Sequence, residues 1–321
     1  MTNLTIKKRG TQLRKTIKNH KKMTSVEKSN LAIQMHPGLT LETAISDFKS
    51  LQKTNCDNIK DVKMTIRKGS NFVDYFTMKQ RLETRGNKGI TFYEFWEKRN
   101  EYKNKKYVKN IVDFYKKTGK IKSEARVFMR IFNLYFGAIN IFKPIVAMDI
   151  YCRYKPQSIL DMTMGWGGRL VGACALNVPR YTGIDLNRTL EKPYAEMVSV
   201  LKQHSTTDIK LYFESALDID YSKINYDLVL TSPPYYNIEQ YEGQPIMDKD
   251  KWKMEFYIPL FERTWKHLQK GGHYCLNIPI DIYEKVAIEI MGKATEFIPM
   301  PKNKRTANEK YMEYIYVWNK K

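Results

Sequence analysis

"SILDMTMGWGGRLVGACAL", residues 158–176, is the stretch on which the fold turns. A short run with an apolar centre (158–163) gives way to a loop with Gly165, Gly167 and Gly168, and then to a largely apolar segment (167–176) long enough for a helix. A strand that ends in a glycine turn opening a helix is the first half of a strand–helix–strand unit. The unit repeats. "RYTGID" (180–185) reads as a second strand, followed by a helix around "LEKPYAEMVSVLKQ". "IKLYF" (209–213) and "YDLVLT" (226–231) read as the third and fourth. "KMEFYIPLFERTWKHLQ" has the spacing of an amphipathic helix, and "GGHYCLNIP" contains a fifth strand. After a helix over 281–292 come "TEFIPM" and, past "PKNKRTANEK", "YMEYIYVW". The last two read as an antiparallel pair closing an otherwise parallel sheet. Upstream, "RVFMRIFNLYFGAINIFKPIVAMDIYCRY" supplies helices to pack on that sheet. The expectation is an α/β domain over 121–321.

Composition divides the chain near residue 120. Lys and Arg total 55 against 34 Asp and Glu, a formal net charge of +21 in 321 residues. Residues 1–120 hold 28 basic and 11 acidic side chains (+17), and residues 121–321 hold 27 and 23 (+4). So cationic a front segment implies a polyanionic partner, nucleic acid being the commonest, against the alternative of a solvated lysine-rich surface. Residues 1–30 read as a mobile basic arm, and 40–118 as mainly helical. There "TFYEFWEKRNEYKNKKYVKNIVDFYKK" interleaves Phe92, Phe95, Trp96, Tyr102, Tyr107 and Phe114 with lysines. Such aromatics could stack bases, but at helical spacing a core stripe is the commoner outcome.

No run of about 18 apolar residues is present, so no membrane span is expected, and the N-terminus lacks the apolar stretch of a signal peptide. Cys56, Cys152, Cys174 and Cys275 are widely spaced, without a C-x-x-C pair. They predict reduced thiols in a cytoplasmic setting and no metal site, with Cys174 and Cys275 in the core. Enrichment in lysine, isoleucine, asparagine and tyrosine points to an AT-rich genome such as that of a virus or phage, in which case the compartment is the host cytosol.

The strand ends carry the chemistry. Asp161 closes the first strand, followed by Thr163, Met164 and the glycines, which let backbone approach a ligand. Asp185 closes the second, 24 residues on, where an acid can take both hydroxyls of a ribose. The pattern fits a nucleoside-containing cofactor. The dinucleotide fingerprint is incomplete, since Leu170 stands where its third glycine would be, and Asp-x-Thr favours S-adenosylmethionine over a pyrophosphate cofactor. The fourth strand ends in "LVLTSPPYYN" (228–237). Thr231, Ser232, Pro233, Pro234 and Tyr235 form a stiff, hydroxyl-bearing, aromatic corner at the edge where open α/β sheets bind ligands. An exocyclic amine is a poor nucleophile because its lone pair is delocalised into the ring. Acceptors such as Ser232 Oγ and the Pro233 carbonyl would hold its hydrogens and favour a pyramidal nitrogen, and Tyr235 would offer a face to a base out of its stack.

On these residues, from about 136 to 321, the sequence resembles the S-adenosylmethionine-dependent amino-methyltransferases of nucleic acids. "TSPPY" is similar to their catalytic signature in its serine form, most typical of N4-cytosine DNA enzymes; aspartate or asparagine forms dominate among N6-adenine enzymes. "LDMTMGWGG" resembles the cofactor loop, and Asp185 the ribose acid. "FKP" (Phe142, Lys143, Pro144) resembles the segment lining the methionine end. "FESALDID" resembles the adenine-ring segment, which makes Ser215, Ala216 and Asp218 candidates, although Glu214 stands where the family often has glycine. The resemblance implies a class I methyltransferase fold: a Rossmann-like mixed sheet, mostly parallel with one antiparallel strand, behind a basic, mainly helical N-terminal region. It implies S-adenosylmethionine as cofactor, DNA as the favoured partner and N4 of cytosine as the favoured target. With little chain left after the catalytic domain, target choice would rest with residues 1–120. N6-adenine, an RNA base, a protein glutamine (whose enzymes carry asparagine in place of Ser232) and a cofactor-dead nucleic-acid-binding subunit are the alternatives. A C5-cytosine mechanism needs a cysteine beside proline, and no cysteine here adjoins one.

Overall fold

In the computed structural model the sheet is set by strands whose successive side chains serve two cores. The structure describes residues 22–300, apart from 87, 122, 138, 238, 239, 241–243 and 245, together with residues 313–321. The "PKNKRTANEK" segment and most of the basic arm lie outside the described residues.

Among the described residues there are seven strands: β1 (Ser158–Asp161), β2 (Arg180–Ile184), β3 (Asp208–Tyr212), β4 (Leu228–Thr231), β5 (His273–Asn277), β6 (Glu296–Pro299) and β7 (Tyr314–Asn319). They lie side by side in the order β3-β2-β1-β4-β5-β7-β6. Pairings among β1 to β5 are parallel, and β7 runs antiparallel to both β5 and β6. This is the mostly parallel sheet with one antiparallel strand expected of the class I methyltransferase fold. The order reverses between β1 and β4, so their C-terminal ends flank the crevice where such sheets bind ligands.

Alternation along the strands separates the two faces, because successive side chains of a strand point to opposite sides. Ile159, Leu228, Leu230, Cys275, Ile315 and Val317 join one core; Leu160, Val229, Tyr274, Leu276, Tyr316 and Trp318 join the other. The central strands β1 and β4 are therefore apolar in mid-strand and buried along their whole length, as strands covered on both faces must be, with polar Ser158, Asp161 and Thr231 at their ends. Helices Pro144–Tyr154, Gly168–Ala175 and Glu191–Leu201 contribute to the first core, and Ile258–His267 to the second.

The N-terminal helices divide between this body and a core of their own. Leu41–Gln52 and Ser70–Glu83 place Ala44, Phe48, Leu51, Phe72, Val73 and Phe76 in the first sheet core. Phe92 and Phe95 are buried in a third cluster with Leu31, Val108, Phe128 and Phe132, so this part of the aromatic stripe is core. Phe114 is 52% exposed. Helix Glu124–Phe132 was expected on the sheet. It packs in the third cluster instead, because Phe128 and Phe132 meet Phe95 and Phe92 rather than a strand.

The expectation of four reduced thiols is corrected for two of them. Cys56, in the turn after Leu41–Gln52, and Cys152, on Pro144–Tyr154, form a disulfide across 96 residues. The docking of the N-terminal helices brings the two together, which spacing alone could not foretell. Cys174 and Cys275 are buried and free, as expected. No described helix is long and apolar enough to cross a membrane.

Candidate active site

The loops after β1, β2 and β4 meet through specific bonds. Asp185, just past β2, accepts the Gly165 N–H at 2.7 Å and the Asn187 N–H at 2.9 Å. Burial pushes its carboxyl up to about 6 against these two bonds, which favour the ionised form. Thr163 Oγ1, in the glycine loop, lies 2.6 Å from Thr231 Oγ1 at the end of β4. The glycine loop and the serine–proline corner are thus one hydrogen bond apart.

Close packing explains the glycines. Gly168 opens its helix with its Cα against the Phe142 carbonyl, where a Cβ would collide with main chain. Gly167 has φ +93°, a left-handed conformation natural to glycine. The Met164 N–H donates to the Ile184 carbonyl at 2.8 Å, and the Met164 side chain is buried against Gly183. Beneath the loop, the Tyr194 hydroxyl donates to the carbonyls of Gly165 (2.9 Å) and Met164 (3.3 Å).

Asp161 faces inward. It is fully buried, with Oδ2 accepting from Arg169 Nε at 2.7 Å and from the Tyr181 hydroxyl at 2.6 Å, and Oδ1 accepting from Thr231 Oγ1 at 3.0 Å. Arg169 also donates to the Thr163 carbonyl. Burial opposes the Arg169 charge, but the Asp161 carboxylate and its bond, with Tyr181 and Tyr151, outweigh it and hold the guanidinium's pKa raised. The pair ties the end of β1, the glycine loop and the end of β4 into one block. Its guanidinium carbon lies 5.1 Å from the centre of the Phe142 ring. Lys143 turns the other way, its Nζ donating to the Thr65 carbonyl at 2.9 Å, and Pro144 is the buried first residue of its helix.

The segment after β3 forms a turn in which Ser215 Oγ accepts the Leu217 N–H at 3.2 Å and the Ser215 carbonyl accepts the Asp218 N–H at 3.0 Å. Ala216 is buried, its carbonyl bonded by Tyr221, and Asp218 is exposed. This turn reaches Asp185 through the pairing of β2 with β3, in which the Asp185 N–H donates to the Tyr212 carbonyl at 3.0 Å.

In the corner itself, Pro233 is buried, and Ser232, Pro234 and Tyr235 are half-buried. The Pro234 carbonyl accepts from the Tyr257 hydroxyl at 2.7 Å, and that hydroxyl in turn accepts the Tyr236 N–H at 3.0 Å. Tyr236 has φ +55°, an uncommon conformation for a residue with a side chain, held by this bond and by its own hydroxyl donating to Asp281 at 2.9 Å. Ser232 Oγ lies 3.0 Å from the Tyr235 hydroxyl, and both face Asn277, the last residue of β5.

Arg169, Tyr194, Tyr257 and Asn277 were not among the residues singled out from sequence. Arg169 had a signal, as the lone charge in an apolar helix, and Asn277 had another, as a polar residue closing a strand at the ligand edge. The tyrosines had none, because nothing in their spacing tells which way a phenol will point.

No protein-family model matches the chain, and no curated protein matches it. Among solved structures it is similar to an rRNA methylase from Streptococcus thermophilus, with 13% identity, 56% of this chain and 98% of that chain covered, and a TM-score of 0.37. It is also similar to TrmN from Thermus thermophilus, at 15% identity and a TM-score of 0.39 over 56% of this chain and about half (49%) of that one. A third similar structure is the N-methyltransferase NodS from Bradyrhizobium japonicum, at 14% identity and a TM-score of 0.34, covering 52% and 87%.

Proposed function

We propose that the protein transfers a methyl group from S-adenosylmethionine to the exocyclic amine of a nucleic-acid base, with N4 of cytosine in DNA favoured. The observation that carries this reading is the 2.6 Å contact of Thr163 with Thr231, which sets the glycine loop beside the Ser232–Tyr235 corner. The residues fit the cofactor. Each Asp185 oxygen accepts one N–H and keeps a lone pair for a ribose hydroxyl, and the bare Cα of Gly165, whose missing side chain would meet nothing closer than 3.9 Å, lets a ligand approach main chain. Phe142 would line the methionine end, and the Ser215–Asp218 turn would lie beside the adenine. Asp161 would act through Arg169 and Thr231, positioning the loop. When bound, S-adenosylmethionine would supply an electrophilic methyl group on a sulfonium leaving group, facing an amine held by Ser232 Oγ and the Pro233 carbonyl.

The chain's own part is preorganisation. Tyr257 occupies the Pro234 carbonyl, so Ser232 Oγ and the Pro233 carbonyl are the acceptors left to hold the amine's hydrogens, fixed before the substrate arrives. The Tyr235 hydroxyl, donated to Asn277, pins its ring as a stacking surface. Serine in the corner favours cytosine over adenine. The basic first 120 residues are the proposed polymer-binding part, with affinity falling steeply as salt rises.

The test is incubation with labelled S-adenosylmethionine and DNA or RNA, followed by mass spectrometry of the nucleosides. N4-methylcytosine is expected. N6-methyladenine would change the base and keep the mechanism, whereas 5-methylcytosine would overturn it. Ser232→Ala should lower kcat by about 10²–10³ and leave cofactor affinity unchanged.

A further inference from the structure

Asn277 closes β5 between β4 and β7 and is only 5% exposed. Its side-chain nitrogen donates to the Tyr314 carbonyl at 3.1 Å. That carbonyl can only accept, so the amide has one orientation, and Oδ1 faces the serine–proline corner. There Oδ1 lies 2.8 Å from the Tyr235 hydroxyl and 3.2 Å from Ser232 Oγ, and the main-chain carbonyl of Asn277 lies 3.0 Å from the same Tyr235 hydroxyl. Two hydroxyls, with one proton each, thus face two oxygens that have none. Both protons are drawn toward Asn277, which leaves the lone pairs of Ser232 Oγ for the open side of the corner.

We propose that Asn277 is the positioning residue that makes Ser232 a hydrogen-bond acceptor, and that it thereby selects a ring nitrogen substituent bearing hydrogens over a keto oxygen at the same position. A keto oxygen would meet lone pairs with lone pairs, and turning the Ser232 proton toward it would give up the bond to Asn277 Oδ1 and leave the Tyr235 hydroxyl as the one donor shared by both Asn277 oxygens. The inference rests on the amino-methyltransferase reading and adds to it the device that sets the polarity of the corner.

Two variants test it, assayed with saturating S-adenosylmethionine on mixed-sequence DNA and, in parallel, mixed-sequence RNA, each as a ratio to wild type. Asn277→Leu removes both acceptor and donor; kcat should fall about 10- to 100-fold, with cofactor Kd within about twofold. Asn277→Asp keeps the acceptor. Its kcat should stay within about threefold of wild type, because the acid can give its hydrogen to the Tyr314 carbonyl as the amide did and keep an acceptor toward Ser232 Oγ. A residue that only filled space would be replaced as well by leucine as by aspartate. If Asn277→Leu fails to fold, Asn277→Ala takes its place. A folded variant lacking the acceptor with full kcat, or an Asn277→Asp as slow as that variant, overturns the inference and leaves the reading intact. A wild type that methylates no amine overturns both.

Discussion

Replacing Asp185 by asparagine separates the charge at the end of β2 from its shape. Burial raises this carboxyl from an ordinary value of 3.8 to about 6, with the N–H groups of Asn187 and Gly165 restraining the rise. A rise of about two units is worth roughly 3 kcal/mol against the ionised form at pH 8. Because the folded value is the higher one, the group's stabilising contribution is complete below about pH 3.8 and is lost as pH rises through about 6. Ligand binding has the opposite sign, since a ribose diol donates its hydrogens to the ionised form. Affinity of the wild type for S-adenosylmethionine should therefore be level above pH 7 and about tenfold weaker at pH 5, one unit below the carboxyl's midpoint. Asp185→Asn keeps one acceptor and loses the charge, so its affinity at pH 8 should be about 10- to 100-fold weaker, the equivalent of roughly 1–3 kcal/mol. Calorimetry of both proteins from pH 5 to 8 gives the ratio of their affinities, from which the ligand's own titration cancels. That ratio should shrink about tenfold at pH 5. A ratio constant across the range would refute the reasoning and remove Asp185 from the ligand site.

Gly168→Ala sets a methyl group against the Phe142 carbonyl, which as main chain cannot step aside. The variant should lose about 1–3 kcal/mol of stability and bind S-adenosylmethionine more weakly, both read from thermal melts with and without the ligand. A melting midpoint and ligand shift equal to wild type would show that the loop has slack. Cys56→Ser opens the link to Cys152 across 96 residues and should cost about 2–5 kcal/mol in a denaturant titration. Reductant should destabilise the wild type to the same degree and leave the variant unmoved; a wild type indifferent to reductant would contradict the bond.

The strand–helix rhythm was legible because it is written in local terms. A strand buried on both faces needs an apolar middle, as "LVL" at 228–230 and "IL" at 159–160 supply, and a helix that starts against main chain has to start with glycine, as at Gly168. The strand ends follow from the same signals, so the sequence alone places Asp161, Asp185 and the Ser232–Tyr235 corner along one edge of the sheet.

The directions of side chains at that edge were decided by the tertiary structure. Asp161 and Asp185 look alike in sequence, each an acid closing a strand. Only the packed fold gives Asp161 to Arg169, Tyr181 and Thr231 in the interior and leaves Asp185 with main-chain N–H groups at the loop. Asn277 lies 45 residues beyond Ser232 and meets it only because β5 pairs with β4, and its amide is turned by a carbonyl of β7. The Cys56–Cys152 bond and the burial of Phe128 beside Phe95 arise in the same way, from helices docking across long separations. The sequence by itself determined the periodicity, the order of elements and the residue types at the strand ends, because those depend on neighbours along the chain. The tertiary structure alone decided which donor meets which acceptor, because a hydrogen bond depends on a few tenths of an ångström between residues that the sequence keeps far apart.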